Sequence, residues 1–415
     1  MTTQLQIGFA GISHLSLVYG AALSNFATSI SFFDTDDAVV KDLATGKNII
    51  VEPGLDNILF QSGKKFRFTN NLKTLADSDV IIVAKDIITD DQNTSDYSMI
   101  RNLLQAIAEN RLNQIPVIVM SQVEPGFCRS VSSEFESLTY FVETLIFGEA
   151  LQRAKCPERL IIGKQDATSN LPTIVSQILK QFNCPILETN YESAELAKIS
   201  INLFLASSVT LSNHIANVSS KIGADWKFIA ECLRLDKRIG KHAYLQNGLG
   251  ISGGNLERDL RTYDGLTQRT FGIEGLIEQW NFINGQMKLW PSLMLQEHLQ
   301  IEKRHAISFM GLAYKKNTDS IKNAPSIANV EFLNQRVVAY DAMVNSDFSH
   351  PLITRVSDIN LALNGADAVV IFNDSREFEE ISDALLSVMQ GDLIIDPFGV
   401  LEHKISTSKF RYFKM

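Results

Sequence analysis

A chain of 415 residues is too long for one core, so two or three domains are expected. Its formal net charge of −9 offers no basic surface for nucleic acid or an anionic membrane. Four scattered cysteines (Cys128, Cys156, Cys184, Cys232) with no CxxC pair, and a start, MTTQLQIGFAG, without an export signal, point to a reducing cytoplasm. No apolar run reaches the ~18 residues of a membrane span, and no metal site is expected.

The first half alternates apolar runs with helical spacing. LQIGFA reads as a strand ending at Gly11, Leu15 to Phe26 as a helix, and SISFF as a second strand ending at Asp34. DVIIVA and PVIVMS read as buried strands around helical NLLQAIAEN, and RLIIGK and CPILET as strands around a helix from Leu171 to Phe182. Continuous apolar strands between helices predict a parallel α/β sheet covered on both faces. From Glu192 to about Arg234 the apolar residues recur every three or four positions, predicting a long helix. A second helical stretch follows, with Pro291 as a break. Strands return at HAISFMG, VVAYD, DAVVIF and DLIIDP. The expected layout is α/β, a helical middle section and a second, smaller α/β domain, with boundaries at 1–190, 191–300 and 301–415. A cleft between two such sheets is a preferred place for ligands.

Two stretches carry candidate chemistry. Gly11-Ile-Ser13-His-Leu-Ser16 follows the first strand and opens a helix, as a dinucleotide fingerprint does, with serines in place of the second and third glycines. Serine adds one small polar atom, so a close backbone approach survives in part, and its hydroxyl is able to donate to a phosphate. Asp34 lies 23 residues after Gly11, near the ~20 at which an acid binds ribose hydroxyls and selects NAD over NADP. A plain β–turn–α unit is the alternative. The second stretch is Gly248-Leu-Gly250-Ile-Ser-Gly253-Gly254-Asn255-Leu-Glu-Arg258-Asp259. Its glycines allow either a flexible loop or a close backbone approach.

Further segments resemble the UDP-glucose/GDP-mannose dehydrogenase family in order along nearly the whole chain. Val51-Glu-Pro-Gly-Leu55 resembles its YEPGL, and Ser121-Gln-Val-Glu-Pro-Gly126 its STVPPG. Glu195-Leu-Ala-Lys198-Ile-Ser-Ile-Asn202 resembles its ELxKxxxN, and Asp236-Lys-Arg238-Ile-Gly240 its DPRIG. Gly311-Leu-Ala-Tyr-Lys315-Lys-Asn-Thr318-Asp319-Ser-Ile-Lys322-Asn-Ala-Pro325 resembles its GLAFKxxTDDxRxSP. The resemblance implies an α/β fold of two Rossmann-like domains joined by a long central helical segment, an NAD-dependent oxidoreductase acting on a nucleotide-sugar, a UDP-hexose by default, and a homodimer formed through the middle section. Cofactor residues would be Gly11, Ser13, Ser16, Asp34, Gln122 and Lys322. Substrate residues would be Arg238 (reaching the neighbouring subunit), Tyr244, Gly250, Gly253, Gly254, Arg258 and Lys315. Catalytic residues would be Lys198, Asn202, Glu143, Asp259 and Asn255.

The departures matter to the chemistry. The family's nucleophilic cysteine, which carries its second oxidation through a thioester, is Asn255 here, and an amide cannot make that attack. Glu143 matches the first acid of the family's PEFLREG, but the second is Phe147. Its VGTP becomes Lys85-Asp86-Ile87-Ile88, losing a threonine that contacts the cofactor, and Gln122 replaces another threonine. Lys198 would stabilise developing negative charge, Asn202 lies at i+4 on the same face, and Asp259 would orient a water or Lys198. Altered chemistry is expected: one oxidation, or an oxidation and return reduction such as epimerisation. A four-electron dehydrogenase with another nucleophile (Cys128 stands nearest by motif) and a non-catalytic binding partner are the alternatives.

Overall fold

The computed structural model describes residues 5–61, 66–90, 93–299, 305–345 and 347–415. The chain forms two compact units, Met1–Ile201 and Asn202–Met415.

In the first unit β1 (Leu5–Ala10), α1 (His14–Leu23), β2 (Ala27–Phe33), α2 (Asp37–Ala44) and β3 (Phe66–Thr69) make an opening βαβαβ run, followed by β4 (Val80–Val83). A short antiparallel pair follows, β5 (Ile88–Thr89) and β6 (Ser95–Asp96), then α3 (Ser98–Glu109), β7 (Val117–Val119), α4 (Phe127–Val131) and β8 (Leu138–Phe141). The unit continues with α5 (Ala150–Lys155), β9 (Leu160–Lys164), α6 (Thr173–Lys180) and β10 (Ile186–Asn190). The sheet order is β10-β9-β8-β7-β4-β1-β2-β3, and its pairs are parallel except β8 with β9. Strands β4 and β7 are buried throughout because helices cover both faces. The chain order reverses between β1 and β4, and ligands of open α/β sheets bind outside the strand ends at such a point.

Helix α7 (Tyr191–Ile222) starts in the first unit and continues in the second. By length and composition alone it could cross a membrane, with mean hydropathy 1.3 over an 18-residue window of which a third is buried; Glu195 and Lys198 in its first turns are buried. The second unit adds α8 (Trp226–Leu235), α9 (Asn255–Phe271), α10 (Leu276–Lys288) and α11 (Trp290–His298). Pro291 sits in the first turn of α11, where its missing N–H costs no helical bond, so the expected break lies between α10 and α11. Helix α9 was not anticipated from the sequence. The boundary expected at 300/301 lies outside the described residues.

A second sheet follows: β11 (Ile307–Met310), α12 (Pro325–Leu333), β12 (Val337–Tyr340), β13 (Ile353–Arg355), α13 (Ile359–Leu363), β14 (Ala368–Ile371), α14 (Asp383–Leu386), β15 (Leu393–Ile395) and β16 (Arg411–Phe413). All of its pairs are parallel, and its order, β13-β12-β11-β14-β15-β16, is the doubly wound 3-2-1-4-5-6.

Candidate active site

The turn after β1 sits at the first reversal point. Gly11 has φ +94°, and a Cβ there would come 2.9 Å from Lys85 Cβ, so this position needs glycine on both counts. Ser13 caps α1 and forms a capping box with Ser16. The hydroxyl protons of both serines are already committed. Ser13 Oγ donates to the Ala84 carbonyl at 2.7 Å and Ser16 Oγ to the Ser13 carbonyl at 3.1 Å. In this structure the two serines shape the turn. The donors that helix geometry leaves for an anion are the N–H groups of His14 and Leu15. Asp34 accepts the Ile12 N–H at 2.6 Å and the Lys85 ammonium at 2.6 Å.

Glu52, from the Val51–Leu55 motif, is buried and joins three segments. It accepts the N–H groups of Gly148 (3.0 Å) and Ala150 (2.8 Å) and lies 3.1 Å from His14 Nε2. Phe147, which replaces an acid of the family motif, packs its ring on His14 with centroids 4.4 Å apart.

Lys198 is buried, and its Nζ lies 2.7 Å from Glu143 Oε1 and donates to the Glu143 carbonyl at 2.8 Å. Glu143 Oε2 accepts the Leu145 N–H at 2.9 Å, which fixes the carboxylate. An ammonium held this way is a ready electrostatic partner for a developing oxyanion, and the carboxylate beside it is a proton acceptor. Gln122 is half-buried in the loop after β7.

In the second unit Asn202 donates to Asp259 Oδ2 at 2.5 Å, and Arg258 Nε donates to Asp259 Oδ1 at 3.2 Å. Both Arg258 and Asp259 are buried in the first turns of α9. Asn255 is exposed, at the first position of that helix. The glycines before it meet protein. Gly253 has φ +85°, its missing Cβ would lie 3.3 Å from the Tyr314 ring, and its N–H donates to the Lys322 carbonyl at 3.1 Å. The Lys322 side chain lies against Gly254, and Gly250 packs against Asn284. This glycine run is a packed loop rather than a loose one. Lys315 lies over the Tyr314 ring, 5.7 Å from its centroid. Tyr244 is exposed, and Arg238, also exposed, is paired with its own Asp236 at 2.6 Å.

Residues 5–183 match the NAD binding domain of the UDP-glucose/GDP-mannose dehydrogenase family, 192–284 its central domain, and 308–403 its UDP binding domain. The chain belongs to the UDP-glucose/GDP-mannose dehydrogenase family. It is 27% identical over 395 residues to the UDP-glucose 6-dehydrogenase TuaD of Bacillus subtilis, covering 91% of this chain and 85% of that one. It is also 27% identical over 419 residues to YwqF of the same organism, covering 94% and 93%. A UDP-glucose dehydrogenase from Pyrobaculum islandicum shares the fold with a TM-score of 0.83 at 23% identity, over 95% of this chain and 94% of that one. A UDP-D-ManNAc dehydrogenase from Pyrococcus horikoshii does so with a TM-score of 0.83 at 22% identity, over 99% of each.

NAD is the cofactor of this family's N-terminal domain, and the residues present fit it. The turn at Gly11 and the His14 and Leu15 N–H groups suit a diphosphate, and Asp34 stands at the end of β2, where a ribose diol is bound. Lys85, His14 and Glu52 lie around this turn and were not among the expected site residues. Lys85 was legible as a charge two residues past a buried strand, but its partner was not.

Proposed function

We propose that this chain is an NAD-dependent oxidoreductase acting on a nucleotide-sugar, with a UDP-hexose as substrate, and that it does not carry out the thioester-based four-electron oxidation. The observation that carries the reading is that neither the family's nucleophile position nor the cysteine nearest to it by motif offers a reactive thiol. Position 255 is an exposed asparagine, and the motif-adjacent Cys128 is fully buried. Burial, and then the neighbouring Glu195 carboxylate, push the Cys128 thiol well above its ordinary value, so it supplies no thiolate near neutral pH.

NAD, when bound, accepts the hydride that leaves the sugar carbon. The chain's own groups do the rest. Lys198 stabilises negative charge on the sugar oxygen as its proton leaves, and Glu143, 2.7 Å from that ammonium, takes the proton. Asp259, held by Asn202 and Arg258, fixes the start of α9. Asn255 at its first position offers an amide that donates to and accepts from a sugar hydroxyl. Arg258 and the loop of Gly250, Gly253 and Gly254 border the sugar, Lys315 serves the nucleotide, and Lys322 and Gln122 border the cofactor. Arg238 and Tyr244 are exposed, available to a second copy in a homodimer.

The test is product identity. The protein is incubated with NAD and a panel of UDP-hexoses, and products are read by mass spectrometry and NMR. One NADH per sugar, or a stereoisomer with no net NADH, supports the reading. Two NADH per uronic acid overturns it. A non-catalytic partner protein is the second reading, favoured by the Phe147 ring on His14 where the family carries an acid. It predicts nucleotide binding with no product from any sugar.

A further inference from the structure

Asp34 and Asp341 occupy equivalent places in their two sheets. Ala10 pairs with Phe33 and Met310 with Tyr340, and each aspartate is the next residue. The glycine after each first strand donates its N–H to the residue before that aspartate, Gly11 to Phe33 and Gly311 to Tyr340, both at 2.8 Å. Each carboxylate accepts N–H groups of the following turn: Ile12 on Asp34, Leu312 and Ala313 on Asp341. The neighbouring strand completes the comparison. Ala10 pairs with Val83 and Met310 with Ile371, so Lys85 and Asn373 correspond, each two residues past its strand. Asn373 is neutral and donates to the Ala313 carbonyl at 3.2 Å. Lys85 instead brings an ammonium to the aspartate.

That ammonium is built in. Ser121 Oγ accepts the Lys85 N–H at 2.9 Å and donates to the Lys85 carbonyl at 2.7 Å, clamping its backbone. The side chain runs over Gly11, and Nζ reaches Asp34 Oδ2 at 2.6 Å and the Ile12 carbonyl at 3.1 Å. The pair is shielded, with side-chain exposures of 19% for Lys85 and 5% for Asp34. A carboxylate has about four lone-pair positions. Three are taken, by the Ile12 N–H, the Asp36 N–H (3.0 Å) and Lys85. The two hydroxyls of a ribose need two. The backbone donors are fixed by their turns, so the lysine is the one that must yield.

We propose that Lys85 is a specificity-determining residue of the dinucleotide site, whose ammonium competes with the adenosine ribose for Asp34. It lowers affinity for NAD and weakens discrimination against a 2′-phosphorylated dinucleotide. An unpaired Asp34 would repel the 2′-phosphate, whereas a displaced Lys85 supplies a counter-charge beside it. The inference deepens the NAD reading above and rests on it.

The test is calorimetric binding of NAD and NADP, at one fixed ionic strength, to the full-length protein and to Lys85→Ala and Lys85→Gln. Both variants are expected to bind NAD about tenfold tighter, the scale of one charge-assisted hydrogen bond no longer broken. They are expected to bind NADP no tighter than the wild type. Unchanged or weaker NAD binding by the folded variants overturns the proposal. Removing one partner of a buried pair can unfold a protein, so a second arm uses the wild type alone. ADP-ribose and 2′-phospho-ADP-ribose should bind it within about tenfold of each other, and a larger preference for the unphosphorylated form overturns the proposal. If no dinucleotide binds any of the three proteins, the NAD reading falls with it. Tight NAD binding indifferent to Lys85 sinks this inference alone.

Discussion

At the scale of single residues, the proposed chemistry turns on Lys198 and Cys128. Lys198 is buried against Glu143, so its charge is held in place before any substrate arrives, and little reorganisation is needed when an oxyanion forms. Lys198→Met should lower turnover about a hundredfold or more, with a smaller change in nucleotide-sugar affinity, read from kcat and a separate binding titration. Cys128 is locked the other way. Glu195 accepts the N–H groups of Gly126 (2.6 Å) and Cys128 (2.8 Å), and burial first, then that carboxylate, keeps the thiol protonated. Iodoacetamide at pH 8 should label the exposed Cys156 and Cys232 and spare Cys128 in the folded protein, as mapped by peptide mass spectrometry. Rapid labelling of Cys128 would reopen it as a nucleophile.

Helix α9 and the loop before it show what an element can hide. NLERDLRTYDGLTQRTF is mostly polar, with only Arg258, Asp259 and Leu260 buried, so its apolar periodicity is faint in the sequence. Tertiary contacts hold it: Lys288 bonds Glu257 at 3.1 Å, and Asn323 bonds the same carboxylate. The glycine run packs onto the segment after β11. Gly253→Ala should cost about 1–3 kcal/mol, from a strained positive φ and from crowding on Tyr314, and should lower the melting temperature. A second device ties α8 to the C-terminal end. Lys227 and Lys414 beside Glu402 hold its carboxyl down at about 2, against an unfolded value near 4.5. The stability this contributes is complete above about pH 4.5 and is lost as pH falls towards 2. Over that window the wild type should lose melting temperature more steeply than Glu402→Gln.

For the whole molecule, the open question with a physical handle is assembly. On α7, Phe204, Leu211, Val218 and Ile222 are all exposed, at spacings of seven, seven and four that put them on one face. Water is a poor partner for such a stripe, and a second copy of the chain would cover it. Light scattering at micromolar concentration should give a dimer for the wild type and a monomer for the double variant Phe204→Asp, Leu211→Asp. A wild-type monomer would remove both this interface and the reach of Arg238 into a neighbour.

The sequence by itself determined the alternation of strands and helices, the turn at Gly11 and the acid after β2. Those features are local: apolar periodicity and residue chemistry at fixed spacing carry them without knowledge of the fold. It also carried the order of family motifs, which agreed with the two sheets already read from the strand pattern. Only the tertiary structure decided where the polar groups spend their bonds. Ser13 and Ser16 turn inward to cap α1, the glycine run closes on Tyr314 and Lys322, and Lys85 settles on Asp34, 51 residues away in the chain. A charge finds its partner through burial and distance, and neither is written in the spacing of one strand.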